Sequence, residues 1–402
     1  MSVIFYVVMK AVFASVAVAF QALLPMYADH HDAGAINEVQ VQAMILSMMI
    51  FPGIEFSIVR TFPLLKHKHP EAYTNTVSDT VTCSTILLVL LSGVLFLLLT
   101  FSSEKISVIM GMVGLSLLFA YARVIPSILR ADGLYIRSIL SEPGVIFLSG
   151  VATLAFVPKQ YWPNAFDFWM MVTATAAFCY AIPNLTGNVR KITNRTRSVI
   201  SASRTVWKDY GFQVVLVSVS NFSLLWVPAA VSTLVMSNQE VFETVSALRL
   251  IGLLIFSEGA LAAYFVPKFV HRKKDVRSFV AMMNRYRVLL TGSTFVISAA
   301  MFIGLSVHDP FTMTITGYIG LVLVVIAQIV VCGMASPFSI VVAIGTKEEI
   351  TGICVTILSL AAISAVVVAI VPDVIIVLSC FSILQVARAT LGGKILRRYM
   401  ER

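Results

Sequence analysis

Seven charged side chains stand inside long apolar runs of this sequence, where a charge is costly. Five are basic (Lys10, Arg60, Arg123, Arg249 and Arg388) and two are acidic (Glu55 and Glu258). An Arg or Lys near the centre of a bilayer costs about 2.5–3.5 kcal/mol on insertion scales. Such residues face a bundle interior or a wet cavity, or they snorkel to the nearest interface. A guanidinium in a cavity presents two parallel N–H donors to a carboxylate or phosphate. The excess of cations in the set therefore suits an anionic ligand such as a diphosphate. Arg60 and Arg388 lie within about two turns of a span end, and Arg123 is similar, so snorkelling is open to all three. Arg249 lies near the outer end of its span, where positive charge is least expected. The depth of Lys10 depends on where the first span begins. Glu55 and Glu258 have two readings: a pair with a nearby arginine that holds two helices together, or a charge-balancing or cation-binding role in a cavity.

Other chemistry finds no support. The chain has no HExxH, Walker A, GxSxG or paired-carboxylate pattern, and it is read as a non-enzyme whose work would draw on an ion gradient, the membrane potential or the substrate's own gradient. His30-His31-Asp32 lacks a third spaced ligand. Cys83, Cys179, Cys332, Cys354 and Cys380 all fall in apolar runs without ligand spacing. No metal, cofactor or disulfide is expected.

The elements that must position these charges follow from composition. Of 402 residues, 58% are hydrophobic and 12% charged, the latter about half the share of a soluble domain, and the mean hydropathy is +0.92. Too few polar residues remain to cover the apolar ones, so the bilayer must serve as solvent. That excludes a soluble enzyme, a secreted disulfide scaffold and a disordered chain. The apolar runs are continuous rather than alternating, which selects helices over a transmembrane barrel. Twelve spans are expected, at about 6–26, 41–63, 80–101, 106–128, 142–158, 166–187, 210–236, 244–267, 288–307, 313–343, 350–371 and 373–395. The first is read as a retained helix rather than a signal peptide. Pro337 is expected to kink or end the long tenth span.

Charge orients the spans. Of the 29 Lys and Arg residues, 22 fall in the loops after even-numbered spans or at the C-terminus, and the opposite loops hold only Lys105 and Lys159. Both termini are therefore expected in the cytoplasm. The net charge of +9 is mostly this topology label, and no nucleic-acid partner is expected. The basic run 268–287 reads the same way, as a topology signal beside anionic lipid. The outer loops are expected to be short and exposed, carrying acids and histidines: Asp29, His30, His31, Asp32, Glu38, Glu240, Glu243, His308, Asp309 and Asp373.

The connection 188–209 divides the chain into halves of six spans, 1–205 and 206–402. Residues 45–51 read ILSMMIF and residues 250–256 read LIGLLIF, and each run is followed by a proline and a basic stretch (Pro63 with Lys66 to His69, Pro267 with Lys268 to Lys274). Spans 2 and 8 run in the same direction. The expected architecture is thus all-α and integral to the membrane, twelve transmembrane helices in two parallel-repeat six-helix lobes around a central cavity.

Four stretches carry a family resemblance: ALLPMYADHHDAGAINEVQVQAMILSMMIFPGIEFSIVRTFP (22–63), LRADGLYIRS (129–138), SALRLIGLLIFSEGALAAYFVPKF (246–269) and GTKEEI (345–350). In this order and spacing the chain resembles the Wzx-type polysaccharide (O-antigen) flippases of the multidrug/oligosaccharidyl-lipid/polysaccharide exporter superfamily. It departs from them at YADHHDAGAIN, where the family has a Gly-Pro-Glu-x-Tyr-Gly stretch. The resemblance implies alternating access that carries an undecaprenyl-diphosphate-linked oligosaccharide from the cytoplasmic to the outer leaflet of the bacterial inner membrane. Its implied partners are that lipid-linked sugar, membrane lipids, and the polysaccharide polymerase and chain-length machinery. The related lipid II flippases hold the diphosphate with basic residues on helices 1, 2 and 8, where this chain has Lys10, Arg60 and Arg249. Arg60 and Arg249 are the first candidates for diphosphate binding, then Lys10 and Arg123, with Glu55 and Glu258 as cavity acids. The alternatives are a small-molecule exporter of the same superfamily, whose cavity would be acidic, and a membrane polymerase or ligase. The latter would need a large outer loop, and the longest outer connection here is about 15 residues.

Overall fold

The computed structural model describes residues 3–50, parts of 73–97, and residues 104–131, 134–185, 196–272, 275–307, 313–334 and 338–401. Among these residues the regular elements are all helices. They are α1 (Val3–Tyr27), α2 (His30–Ile50), α3 (Glu104–Ala131), α4 (Tyr135–Leu140), α5 (Gly144–Phe156), α6 (Ala165–Leu185), α7 (Thr196–Val235), α8 (Asn238–Arg272), α9 (Val276–Val307), α10 (Ile315–Met334), α11 (Phe338–Ile344), α12 (Lys347–Ile370) and α13 (Val374–Glu401). Ser84–Val94 adds a shorter apolar helix. Seven helices among the described residues are long and apolar enough to cross a bilayer, and eight if the two bent parts of α7 count as one span. The chain is an all-α, multi-pass membrane protein.

Contacts divide the chain into two compact units. One is Tyr27–Ser218; the other joins Met1–Met26 to Val219–Arg402, so the first helix packs with the C-terminal half.

In the first unit α2 packs on α3 and α6, and α6 also packs on α3 and α5. Hydropathy placed the second span at 41–63, but α2 begins at His30. The Asp29 carboxylate accepts the Asp32 N–H at 2.8 Å, capping the first turn. Beyond the cap, Ala33, Ile36, Gln40, Ala43 and Ser47 recur at helical spacing and are all buried. The polar members of that stripe lower the average hydropathy and hid the helix start. The Trp169 indole N–H donates to the Ile36 carbonyl at 2.7 Å and fixes α6 against α2.

In the second unit α10 lies along α13, and α8 meets α9, α10, α11 and α13. The α10–α13 approach is close because Gly320 has no side chain: a Cβ there would come within 2.6 Å of Leu378 Cδ1. α7 extends from Thr196, within the stretch expected to be a connection. It bends by 54° between Val215–Leu224 and Trp226–Val235. Pro228 explains the bend, since it has no N–H for the carbonyl one turn back and its ring crowds that carbonyl. The expected tenth span is two helices, α10 and α11, and Pro337 lies outside the described residues.

GTKEEI is the start of α12. Thr346 Oγ1 accepts the Glu349 N–H at 3.3 Å, and the Glu349 carboxylate accepts the Thr346 N–H at 3.0 Å, a reciprocal capping box. The motif is thus accounted for by helix initiation. Large apolar side chains cover the outsides of the long helices, among them Phe295 and Val296 on α9 and Ile363 and Ile370 on α12, as lipid-facing surfaces require.

Candidate functional site

Two mid-span charges of the second unit, Arg388 and Glu258, lie in its interior. Arg388 on α13, which the sequence allowed to snorkel, is only 9% exposed. Its Nη1 donates to Asn221 Oδ1 on α7 at 2.7 Å, and its Nη2 donates to Gln385 Oε1 at 2.8 Å. Its guanidinium carbon lies 5.8 Å from the Phe338 ring centroid on α11. Glu258 on α8 is equally buried. Its carboxylate feels the positive charge of Arg388, and the Gln328 side chain of α10 lies near it. Its Oε2 is enclosed and accepts no hydrogen bond from the described residues. The Tyr286 hydroxyl of α9 donates to the Glu258 carbonyl at 3.4 Å. Six helices thus meet around two buried opposite charges, and Arg388 is held by amide oxygens from α7 and α13.

Arg249 stands apart from this cluster along α8. It is half-buried, and its guanidinium carbon lies 5.9 Å from the Trp226 ring centroid, cation–π distance. Trp226 stacks on Phe222, with centroids 6.4 Å apart at 28°, and it stands at the bend of α7. α7 therefore supplies the neighbours of both arginines, Asn221 for Arg388 and Trp226 for Arg249. Lys10 is half-buried on α1. The first helix is tied to α8 where Gln21 Nε2 donates to Ser246 Oγ at 3.1 Å.

One acid assigned to an exposed outer loop is instead buried. Glu243 is 4% exposed, and its Oε1 accepts both the Thr314 N–H and the Thr314 hydroxyl at 2.6 Å. It therefore caps α10 from a neighbouring helix. Gly317 makes room, since a Cβ there would overlap the carboxylate.

In the first unit the charges pair close to helix ends. Arg123 on α3 is half-buried, and its Nη1 donates to Ser47 Oγ on α2 at 3.3 Å. Arg130 lies 3.7 Å from Glu142, and Lys159 lies 2.6 Å from Asp32. The Lys159 ammonium is stabilised first by its hydrogen bond to Asp32, which raises its pKa. The Asp29 carboxyl is held below its ordinary range by the Asp32 N–H. Asp29, His31 and Asp32 place ligand atoms within 4.8 Å of one another, so folding supplies the third group that the local sequence lacked. Two of the three are otherwise engaged, Asp29 as a cap and Asp32 with Lys159. Glu55 and Arg60 lie outside the described residues.

The structure therefore brings Glu258 to Arg388 and leaves Arg249, Lys10 and Arg123 on three other helices. Sequence reasoning passed over Asn221, Gln328, Gln385 and Trp226. The signal was present for the amides, because a glutamine inside an apolar run carries the same cost argument as a charge.

Neither a family model nor a curated protein matches the sequence. Its fold does match solved structures. A mutant of the Vibrio cholerae MATE transporter VcmN aligns at TM-score 0.56 and 16% identity, covering 100% of this chain and 96% of that one. A multidrug resistance MATE family transporter of the MOP superfamily in an outward-facing conformation aligns at 0.55 and 13%, covering 99% and 95%. An inward-facing structure of such a transporter aligns at 0.53 and 14%, covering 96% and 98%. At these identities the likeness is one of fold, and it runs over nearly the whole of both chains.

Proposed function

We propose that this chain is a membrane transporter that flips an undecaprenyl-diphosphate-linked oligosaccharide from the cytoplasmic to the outer leaflet of the bacterial inner membrane, with both termini in the cytoplasm. The observation that carries the proposal is the sign of the charge at membrane depth. Among the described residues, Lys10, Arg123, Arg249 and Arg388 stand in the interior of the expected spans, against Glu258 alone. Arg249, Arg123 and Lys10 are half-buried, and basic residues outnumber acidic ones at these depths. A diphosphate needs such donors once it leaves water. Arg249 is the first candidate contact because an aromatic pair adjoins it, and a sugar phosphate presents both an anion and an apolar ring face. In this scheme Arg249 and its aromatic pair receive the headgroup, the lipid tail stays in the bilayer, and alternating access releases the headgroup on the other side. The polymerase and chain-length machinery would act on the product.

A deletion strain tests the proposal. The expected result is loss of surface polysaccharide and accumulation of the lipid-linked unit on the inner leaflet, restored by the wild-type gene but not by Arg249→Glu. Normal polymer in the deletion strain would overturn it. The second reading is export of cationic small molecules, favoured by neighbours described as multidrug resistance transporters. Energy-dependent efflux of a cationic dye, unchanged in Arg249→Ala, would select it.

A further inference from the structure

The C-terminal unit carries a second concentration of charge that transport does not use. α9 has 32 residues and α13 has 28. At 1.5 Å per residue these helices are about 48 and 42 Å long, against roughly 30 Å of hydrocarbon. The overhang is about 12 residues of α9 and 8 of α13. The first 12 residues of α9 hold Arg277, Arg285 and Arg287; the last 8 of α13 hold Lys394, Arg397 and Arg398. All six are exposed.

The two overhangs belong to one rim. The Phe279 ring of α9 meets the Tyr399 ring of α13 with centroids 5.4 Å apart. Phe279 also meets Phe269 of α8 at 5.5 Å, and Phe269 meets Tyr286 at 6.0 Å. This aromatic knot ties the end of α8, the start of α9 and the end of α13 together, so the six cations are held by a packed base. Two exposed acids share these overhangs and their edge, Asp275 and Glu401, and Asp275 is engaged as a cap, its Oδ1 accepting the Ser278 N–H at 3.2 Å.

What fits this rim is set by the surface below it. From Arg285 the outward stripe of α9 continues through Val288 (68% exposed), Leu289, Phe295 (64%), Val296 and Ile303. These residues follow one another at helical spacing on a lipid-facing surface. A ligand spanning both zones must have an anionic head and an apolar tail.

We propose that the rim formed by the start of α9 and the end of α13 is a binding site for anionic phospholipid, with the headgroup on Arg285, Arg287 and the α13 cations and the acyl chains along the α9 stripe. This goes beyond a charge bias that orients the chain, because a bias needs neither the knot nor the stripe. It is also independent of what the protein transports.

The test is thermal unfolding of the purified full chain in neutral detergent, with added phosphatidylglycerol or phosphatidylcholine. The site predicts a larger rise in midpoint with phosphatidylglycerol, falling by at least half in R285A/R287A/R397A/R398A and retained in Arg137→Ala, an exposed arginine of the other unit. Equal rises with the two lipids, or an undiminished rise in the quadruple variant, would overturn it. Should the quadruple variant not fold, the wild-type protein decides: the phosphatidylglycerol excess must shrink between 0.05 and 0.5 M salt, and an excess indifferent to salt refutes the site.

Discussion

The two units handle charge in opposite ways. In the C-terminal unit Arg388 and Glu258 are each 9% exposed, and they lie among amides from three helices. In the unit Tyr27–Ser218, Lys159 pairs with Asp32 where both side chains reach water, and Arg130 lies beside Glu142 at a partly exposed site. Exposed pairs contribute little because water already solvates their charges. A buried charge is a different object: it is costly alone, and at Arg388 two amide oxygens and the nearby Glu258 charge offset part of that cost. The C-terminal unit therefore buries an arginine and a carboxylate in its interior, with Arg249 further along α8 beside Trp226.

The largest effect should come from removing the buried Arg388. Arg388→Met takes the nearby positive charge from the buried Glu258 and leaves the Asn221 and Gln385 oxygens without their donor, and a loss of about 3–5 kcal/mol is expected in detergent unfolding. The double variant R388M/E258Q should recover much of that loss, because the two sites are coupled. Equal destabilisation by the double and the single variant would break the comparison.

Next comes the capped helix of the same unit. Gly317→Ala pushes a methyl group into the Glu243 carboxylate, and about 1–3 kcal/mol is expected from the forced shift. Glu243→Gln in the Gly317→Ala background should then add less than it does alone, since the cap is already displaced.

The first unit should be more tolerant. Arg130→Met is expected to cost about 1 kcal/mol or less, given its partial exposure and a 3.7 Å separation from Glu142. A cost equal to that of Arg388→Met would remove the distinction between the units.

Smallest is Lys159→Met, well under 1 kcal/mol. Its pH signature is more informative than its size. The folded pKa of Lys159 is raised above 10.5 by Asp32. Its contribution is therefore complete below that pH and fades as pH rises through the folded value. The wild-type and Lys159→Met unfolding curves should differ at pH 8 and converge only in strong alkali.

Much of this could be read along the chain. Apolar runs located most helices because hydrocarbon leaves the backbone no other fold, and low charge alone identified a membrane protein. What stayed hidden lay where side chains face protein rather than lipid. The start of α2 was missed because Asn37 and Gln40 are buried among neighbouring helices, and a hydropathy average counts them as water-facing. Glu243 was placed in a loop for the same reason. Arg388 was read from its distance to the helix end, but Asn221, to which it donates, is 167 positions away in sequence, and no local pattern reports that. Glu258 was recognisable as anomalous, while the identity of its counter-charge required the fold.

The central claim is that the basic residues at membrane depth, Arg249 first, serve a lipid-linked oligosaccharide. The most direct measurement reconstitutes the purified chain into liposomes containing an undecaprenyl-diphosphate-linked oligosaccharide in the inner leaflet. It then follows the sugar's accessibility to an external glycan-modifying enzyme. The account predicts that accessibility rises above that of protein-free liposomes with the wild-type chain and stays at the protein-free level with Arg249→Glu. Accessibility that never exceeds the protein-free level, from a preparation that expels a cationic dye, would contradict it.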